Sequence, residues 1–222
     1  MKRFVIPLLI FFLFQSLNAQ KNIYIDKNGK EISKKVCMEK WRNKDSLYSA
    51  WMYLDKHGNN YMILKKNLYL KGTTNYNEIK NRLEKIIRRK IKDSSNILIS
   101  YYFKNDLCTS NRDNKWDKIE IAKRKKFTNP IRKELTKKSI EFITLFNKEI
   151  TLQNKPKNKN EYFYKENDDF FKKTLFVDQT LCGSFAIIKP NGEYLIRNGE
   201  YRADLMAEHL KLENWKLFFD TK

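Results

Sequence analysis

Only six glycines and four prolines occur in 222 residues, with three cysteines, two histidines and ten arginines. Each scarcity excludes something. With so few glycines, no glycine-rich loop is present to cradle a phosphate, and Gly183-Ser184 lacks the Gly-x-Ser-x-Gly elbow of a serine hydrolase. No Cys-x-x-Cys or His-x-x-x-His spacing exists, so the pattern predicts neither a metal site nor a resident cofactor. After residue 19 no run of 18 apolar residues occurs, which excludes a further membrane-spanning helix and predicts a soluble mature chain. The composition excludes collagen, low-complexity disorder and a multi-pass membrane protein.

What is abundant is lysine and aromatic side chain. Lys and Arg number 46 against 26 Asp and Glu, for a formal charge of +20, and aromatics make up 14%. A basic surface suits anionic glycans, lipid head groups or nucleic acid. The cations are spread along the chain, however. The two dense clusters, Arg88-Arg89-Lys90 and Lys123-Arg124-Lys125-Lys126, fall where helices are expected, so a solvated helix face accounts for them.

The first residues predict export. Met1-Lys2-Arg3 is basic, Phe4 to Phe14 is apolar apart from Pro7, and Gln15 to Ala19 is a more polar exit. The apolar run is about 11 residues, while a membrane anchor needs about 20. Cleavage after Ala19 leaves Gln20 first and lowers the formal charge to +18, because Lys2 and Arg3 are removed. No Cys follows that point, so a bacterial lipid anchor is not supported. The expected location is periplasmic or secreted, which disfavours nucleic acid as a partner. An anionic envelope component or another exported protein fits better.

Ile23-Tyr24-Ile25 predicts a strand running into an Asn28-Gly29 turn. Ser46 to Leu54 and Tyr61 to Leu64 predict a hairpin around His57-Gly58-Asn59-Asn60. Asn75 and Glu78 have capping-box spacing, and Ile79, Leu83, Ile86 and Ile87 follow at helical period. Asn96 to Phe103 is the strongest strand signal, apolar enough for burial on both faces. Trp116 to Lys138 predicts a helix that Pro130 should kink or divide. Ile140 to Phe146, Phe185 to Lys189 and Tyr194 to Arg197 predict further strands, with a Pro190-Asn191-Gly192 turn between the last two. Arg202 to Lys211 predicts a closing helix with Leu205, Met206, His209 and Leu210 on one side. Asp168, Asp169 and Glu166 read as a solvated acidic turn rather than as paired catalytic acids. Arg197 and Arg202 flank a strand-to-helix turn and are candidates for gripping an anion, although capping and surface pairing explain them as well.

From residue 96 the order is strand, Cys-bearing turn, helix, strand, irregular segment, strand, turn, strand, helix. This order resembles the thioredoxin-like superfamily. Ser184 to Gly199, with its Lys189-Pro190-Asn191-Gly192 turn, is similar to that family's final hairpin. Leu98 to Phe103 running to Cys108 is similar to its first core strand and active-site turn. The resemblance implies an α/β fold: a central sheet flanked by helices over residues 96–222, preceded by a β-containing extension over 20–95 and a signal peptide over 1–19. Two family features are missing. Cys108-Thr109-Ser110-Asn111 has no second cysteine, and Cys182-Gly183-Ser184 stands where a cis-proline is usual.

Three cysteines allow three single bridges. The resemblance selects Cys108 with Cys182, because those two places face one another in the family, and it leaves Cys37 apart. Such a bridge closes a loop of about 75 residues and stabilises by roughly 4 kcal/mol in the chain-entropy model. Three outcomes are open: a structural bridge, a reactive pair serving thiol–disulfide exchange, or unpaired buried thiols. With the usual redox motif missing, the expectation is an exported non-catalytic binding or envelope-associated module. Its alternative is an oxidoreductase that uses Cys108 and Cys182.

Overall fold

A computed structural model describes residues 20–108, 114–154 and 160–219. The expected signal peptide lies outside the described residues. The N-terminal part contains β1 (Asn22–Ile25), β2 (Glu31–Ile32), α1 (Lys34–Arg42), β3 (Ser49–Leu54) and β4 (Asn60–Lys65). Next come β5 (Tyr69–Thr73), α2 (Tyr76–Ile87), β6 (Asn96–Tyr102), β7 (Lys115–Trp116), α3 (Lys118–Lys137), β8 (Ile140–Phe146) and β9 (Thr151–Leu152). The chain then forms β10 (Phe163–Lys165), α4 (Phe170–Thr174), β11 (Ser184–Ile188), β12 (Glu193–Asn198), a 3-10 helix (Ala203–Leu210) and α5 (Leu212–Trp215). No helix among the described residues is long and apolar enough to cross a membrane.

The larger sheet has the order β10-β8-β6-β11-β12-β5. β6 and β8 are parallel and joined by α3, whereas β11 and β12 form an antiparallel hairpin beside β6. The continuous apolar run of β6 follows from its central place. Ile97, Ile99 and Tyr101 enter the core under α2 and α4, while Leu98 and Tyr102 enter the core under α3 and the closing helices. Successive strand side chains point to opposite faces, so a strand covered on both sides has no polar face to keep.

The helices follow from local signals. The Asn75 side chain accepts the Glu78 N–H at 3.1 Å and starts α2. Ile79, Leu83 and Ile87 then stack at i, i+4 and are fully or nearly fully buried, each contributing about 2 kcal/mol by removal from water. α3 opens with a reciprocal capping box between Asp117 and Glu120.

Four local expectations need correction. α3 runs through Pro130 without the division that proline was expected to cause, and Pro130 sits on an exposed face of the helix. Trp116 lies in β7 ahead of the helix, because the cap at Asp117 sets the start. Arg88-Arg89-Lys90 follows α2 rather than continuing it, since Arg88 turns left-handed at φ 56°. Arg89 then pairs with Glu141 at 2.9 Å, and Lys90 with Glu84 at 2.8 Å. The closing helix is a 3-10 helix broken at Lys211, and Leu205 points outward.

The smaller sheet, β2-β1-β4-β3, carries the expected hairpin, with Trp51 opposite Ile63. It packs beside the larger sheet, where Leu181 donates its N–H to the Ala50 carbonyl at 2.7 Å and Trp51 meets Phe103 edge-on. β5 pairs with β12 as the outer strand of the larger sheet, and α2 covers that sheet. Cys37 is buried between α1 and the smaller sheet as a free thiol, its pKa raised by burial.

Candidate functional site

The pairing of β6 with β11 assembles the site. Ser184 lies opposite Tyr101, so the end of β6 and the start of β11 meet at one end of the sheet. Cys108, in the turn after β6, and Cys182, just before β11, are joined there by a disulfide with Cα atoms 4.9 Å apart. Cys108 is exposed and Cys182 half-buried.

Beneath the bridge lies Asp106, which is buried. One of its carboxylate oxygens accepts the N–H of Cys108 and the N–H of Cys182, each at 3.0 Å. Burial raises its pKa above the ordinary Asp range, and these backbone donors oppose the rise. The Cys182 side is equally held. Thr180 Oγ1 donates to the Gly183 carbonyl and accepts the Gly199 N–H, both at 3.0 Å. Cys182 and Gly183 take left-handed φ values of 67° and 77°. A Cβ on Gly183 would stand 2.6 Å from the Tyr101 carbonyl oxygen, so only glycine fits where the turn passes under β6.

A cleft of about 450 Å³ opens beside the bridge. Tyr102, Trp116 and Phe127 line it together with Lys123, Arg124 and Glu120. Tyr102 stacks on Phe146, 5.1 Å between centroids, and meets Trp116 at 5.0 Å. The Arg124 guanidinium lies 5.8 Å from the Tyr102 ring and 5.7 Å from Phe127. Phe127 is 54% exposed, so the cleft presents an apolar wall beside a cationic one.

The four core strands β8-β6-β11-β12, the α3 crossover and the helices on both faces decide the architecture. The protein has a thioredoxin-like fold. Among solved structures, the N-terminal domain of PilB from Neisseria gonorrhoeae is similar at 12% identity, with 64% of this chain and 99% of that one covered at a TM-score of 0.38. The pneumococcal exposed lipoprotein thioredoxin from Streptococcus pneumoniae is 12% identical, covering 73% and 98% at a TM-score of 0.34. The thioredoxin domain of a thiol-disulfide oxidoreductase from Bacteroides vulgatus is also 12% identical, covering 73% and 91% at 0.32. No protein-family model matches the chain. No curated protein matches it either.

On this thioredoxin-like scaffold the two candidate cysteines are together, while Arg197 and Arg202 stand elsewhere, on a second cleft shared with α1. Arg197 donates to the Gly199 carbonyl at 3.3 Å and to that of Glu200, and Arg202 pairs with Asp204 at 2.6 Å. The acidic turn is not simply solvated. Glu166 is completely buried, accepts from the Tyr101 hydroxyl and takes the Phe171 N–H at 3.0 Å. Asp169 pairs with Lys148 at 2.6 Å, and only Asp168, 3.0 Å from Arg82, is exposed among the three. Asp106 was missed by sequence reading. Its one local signal is its position two residues before Cys108, the spacing of an Asx turn.

Proposed function

We propose that this protein is an exported, non-catalytic binding module in which the Cys108–Cys182 bridge is a structural strap at the mouth of the cleft. The position of Cys108 carries the reading. It lies in a turn, and α3 does not begin until Lys118. A reactive thiol of this fold gains acidity from a helix N-terminus; among the described residues, the first helix after Cys108 starts ten positions on, at Lys118. A thiolate at either sulfur would also stand beside the buried Asp106 carboxyl, which offers it no positive charge. The aromatic and cationic walls of the cleft suit a ligand with an apolar body and a negative group. An anionic envelope component or another exported protein meets that description.

Exposure of Cys108 favours the second reading, thiol–disulfide exchange through the same pair. Redox titration together with insulin reduction separates the two. A strap resists glutathione and leaves insulin reduction at background. Turnover, with a potential in the range of roughly −200 to −230 mV seen for glutaredoxins, would establish the exchange reading instead. Export is tested by N-terminal sequencing from the native host, with Gln20 expected first.

A further inference from the structure

We propose that the second cleft, between the smaller sheet and the end of β12, binds an acidic saccharide. The cleft measures about 530 Å³, within the roughly 300–1,000 Å³ of small-ligand sites. Trp41, Tyr48 and Tyr201 line it together with Arg42, Arg197 and Arg202. This concentration is unlike the rest of the surface. Arginine supplies only ten of the 46 cationic side chains and tryptophan four residues in the whole chain. Three of those arginines and one tryptophan meet in this cleft.

The residue types specify the ligand. Guanidinium groups match a carboxylate with two parallel N–H donors, which a lysine ammonium does not. Arg197 is held by the Gly199 and Glu200 carbonyls through one nitrogen, so its orientation is set before any ligand arrives. Arg202 is exposed, and Asp204 engages its guanidinium through Nε at 3.2 Å and Nη2 at 2.6 Å, so a ligand carboxylate competes with Asp204 for that solvent-exposed fork. Trp41 and Tyr48 are half-buried against the Cys37 cluster and are positioned by that packing. Flat rings of this kind cover the apolar face of a sugar ring while its hydroxyls remain wet. A concave aromatic floor with arginines around it therefore fits a chain of carboxylated sugar rings better than a lipid surface, which would need protruding apolar side chains.

The test uses the full mature chain and tetragalacturonate, with neutral maltotetraose as control, followed by calorimetry and tryptophan fluorescence. Tetragalacturonate should bind at least tenfold more tightly than maltotetraose, with an affinity that falls as salt rises. Arg42→Ala and Arg202→Ala, both exposed and so not needed for folding, should each weaken binding severalfold, and Trp41→Ala at least tenfold. The pair Lys126→Ala and Lys133→Ala on α3 removes two charges and should leave binding unchanged. Equal affinity for the neutral sugar would overturn the proposal. So would equal loss from the α3 lysines, or equally tight binding of tetraglutamate or a short oligonucleotide of the same charge. None of these outcomes bears on whether the disulfide is a strap or a redox pair.

Discussion

Asp106 accepts the backbone N–H of Cys182 at 3.0 Å across 76 positions of sequence, while the same oxygen accepts that of Cys108. The two half-cystines are therefore joined twice, once through sulfur and once through a buried carboxyl. Asp106→Ala leaves both part-buried backbone donors without that acceptor and should cost about 1–3 kcal/mol in oxidised and reduced protein alike. Asp106→Asn keeps an accepting oxygen and should cost less. The pH dependence has a definite sign. Because burial raises the folded pKa of Asp106, its stabilisation is full below the ordinary Asp range and is lost as pH rises through the raised value. Urea titrations between pH 3 and 8 should show Asp106→Asn gaining on the wild type as pH increases; a constant difference would contradict the buried-charge argument.

The bridge spans 74 positions, so its removal frees a long loop in the unfolded chain. Cys108→Ser should lower the melting temperature of the oxidised protein by about 10 °C, from roughly 4 kcal/mol of chain entropy in a domain of this size. The same substitution should leave the reduced protein nearly unchanged. Calorimetry with and without reductant measures both.

Gly183 and Gly58 both have positive φ, at 77° and 81°, but differ in what surrounds them. A methyl group at Gly58 meets nothing, so Gly58→Ala carries only the backbone penalty of about 1 kcal/mol. At Gly183 it meets the Tyr101 carbonyl oxygen at 2.6 Å, and the β6–β11 junction must shift. Gly183→Ala should be the more costly by at least about 1–2 kcal/mol in chemical denaturation. Equal costs would mean that the turn under β6 is not tightly packed.

Glu166 joins the Tyr101 hydroxyl to the first turn of α4, and burial raises its pKa. Its stabilisation is full below the ordinary Glu range and is lost as pH rises through the raised folded value. Glu166→Gln cannot ionise and should gain on the wild type between pH 4 and pH 8. Glu166→Ala leaves the Tyr101 and Phe171 donors without that acceptor and should destabilise by about 2–4 kcal/mol at both.

Local order was legible in the sequence because its causes are local. Asn75 and Glu78 start α2, the apolar run of Asn96 to Phe103 marks a strand covered on both faces, and the Asn191-Gly192 turn marks the final hairpin. The cysteine pair came from family resemblance, since three cysteines alone leave three pairings open. What only tertiary structure decided is which distant segments meet. β5 joins β12 through backbone hydrogen bonds that no side-chain period encodes. Asp106 and Glu166, read singly, are ordinary polar residues; they become buried acceptors because β6 carries Tyr101 and the Asp106 turn into the interior. Arg42, Arg197 and Arg202 share a cleft only because the smaller sheet packs beside the larger one. Helix caps and strand alternation act over a few residues, and sequence records them directly; burial and long-range pairing arise from the whole chain's packing, so no short stretch of sequence contains them.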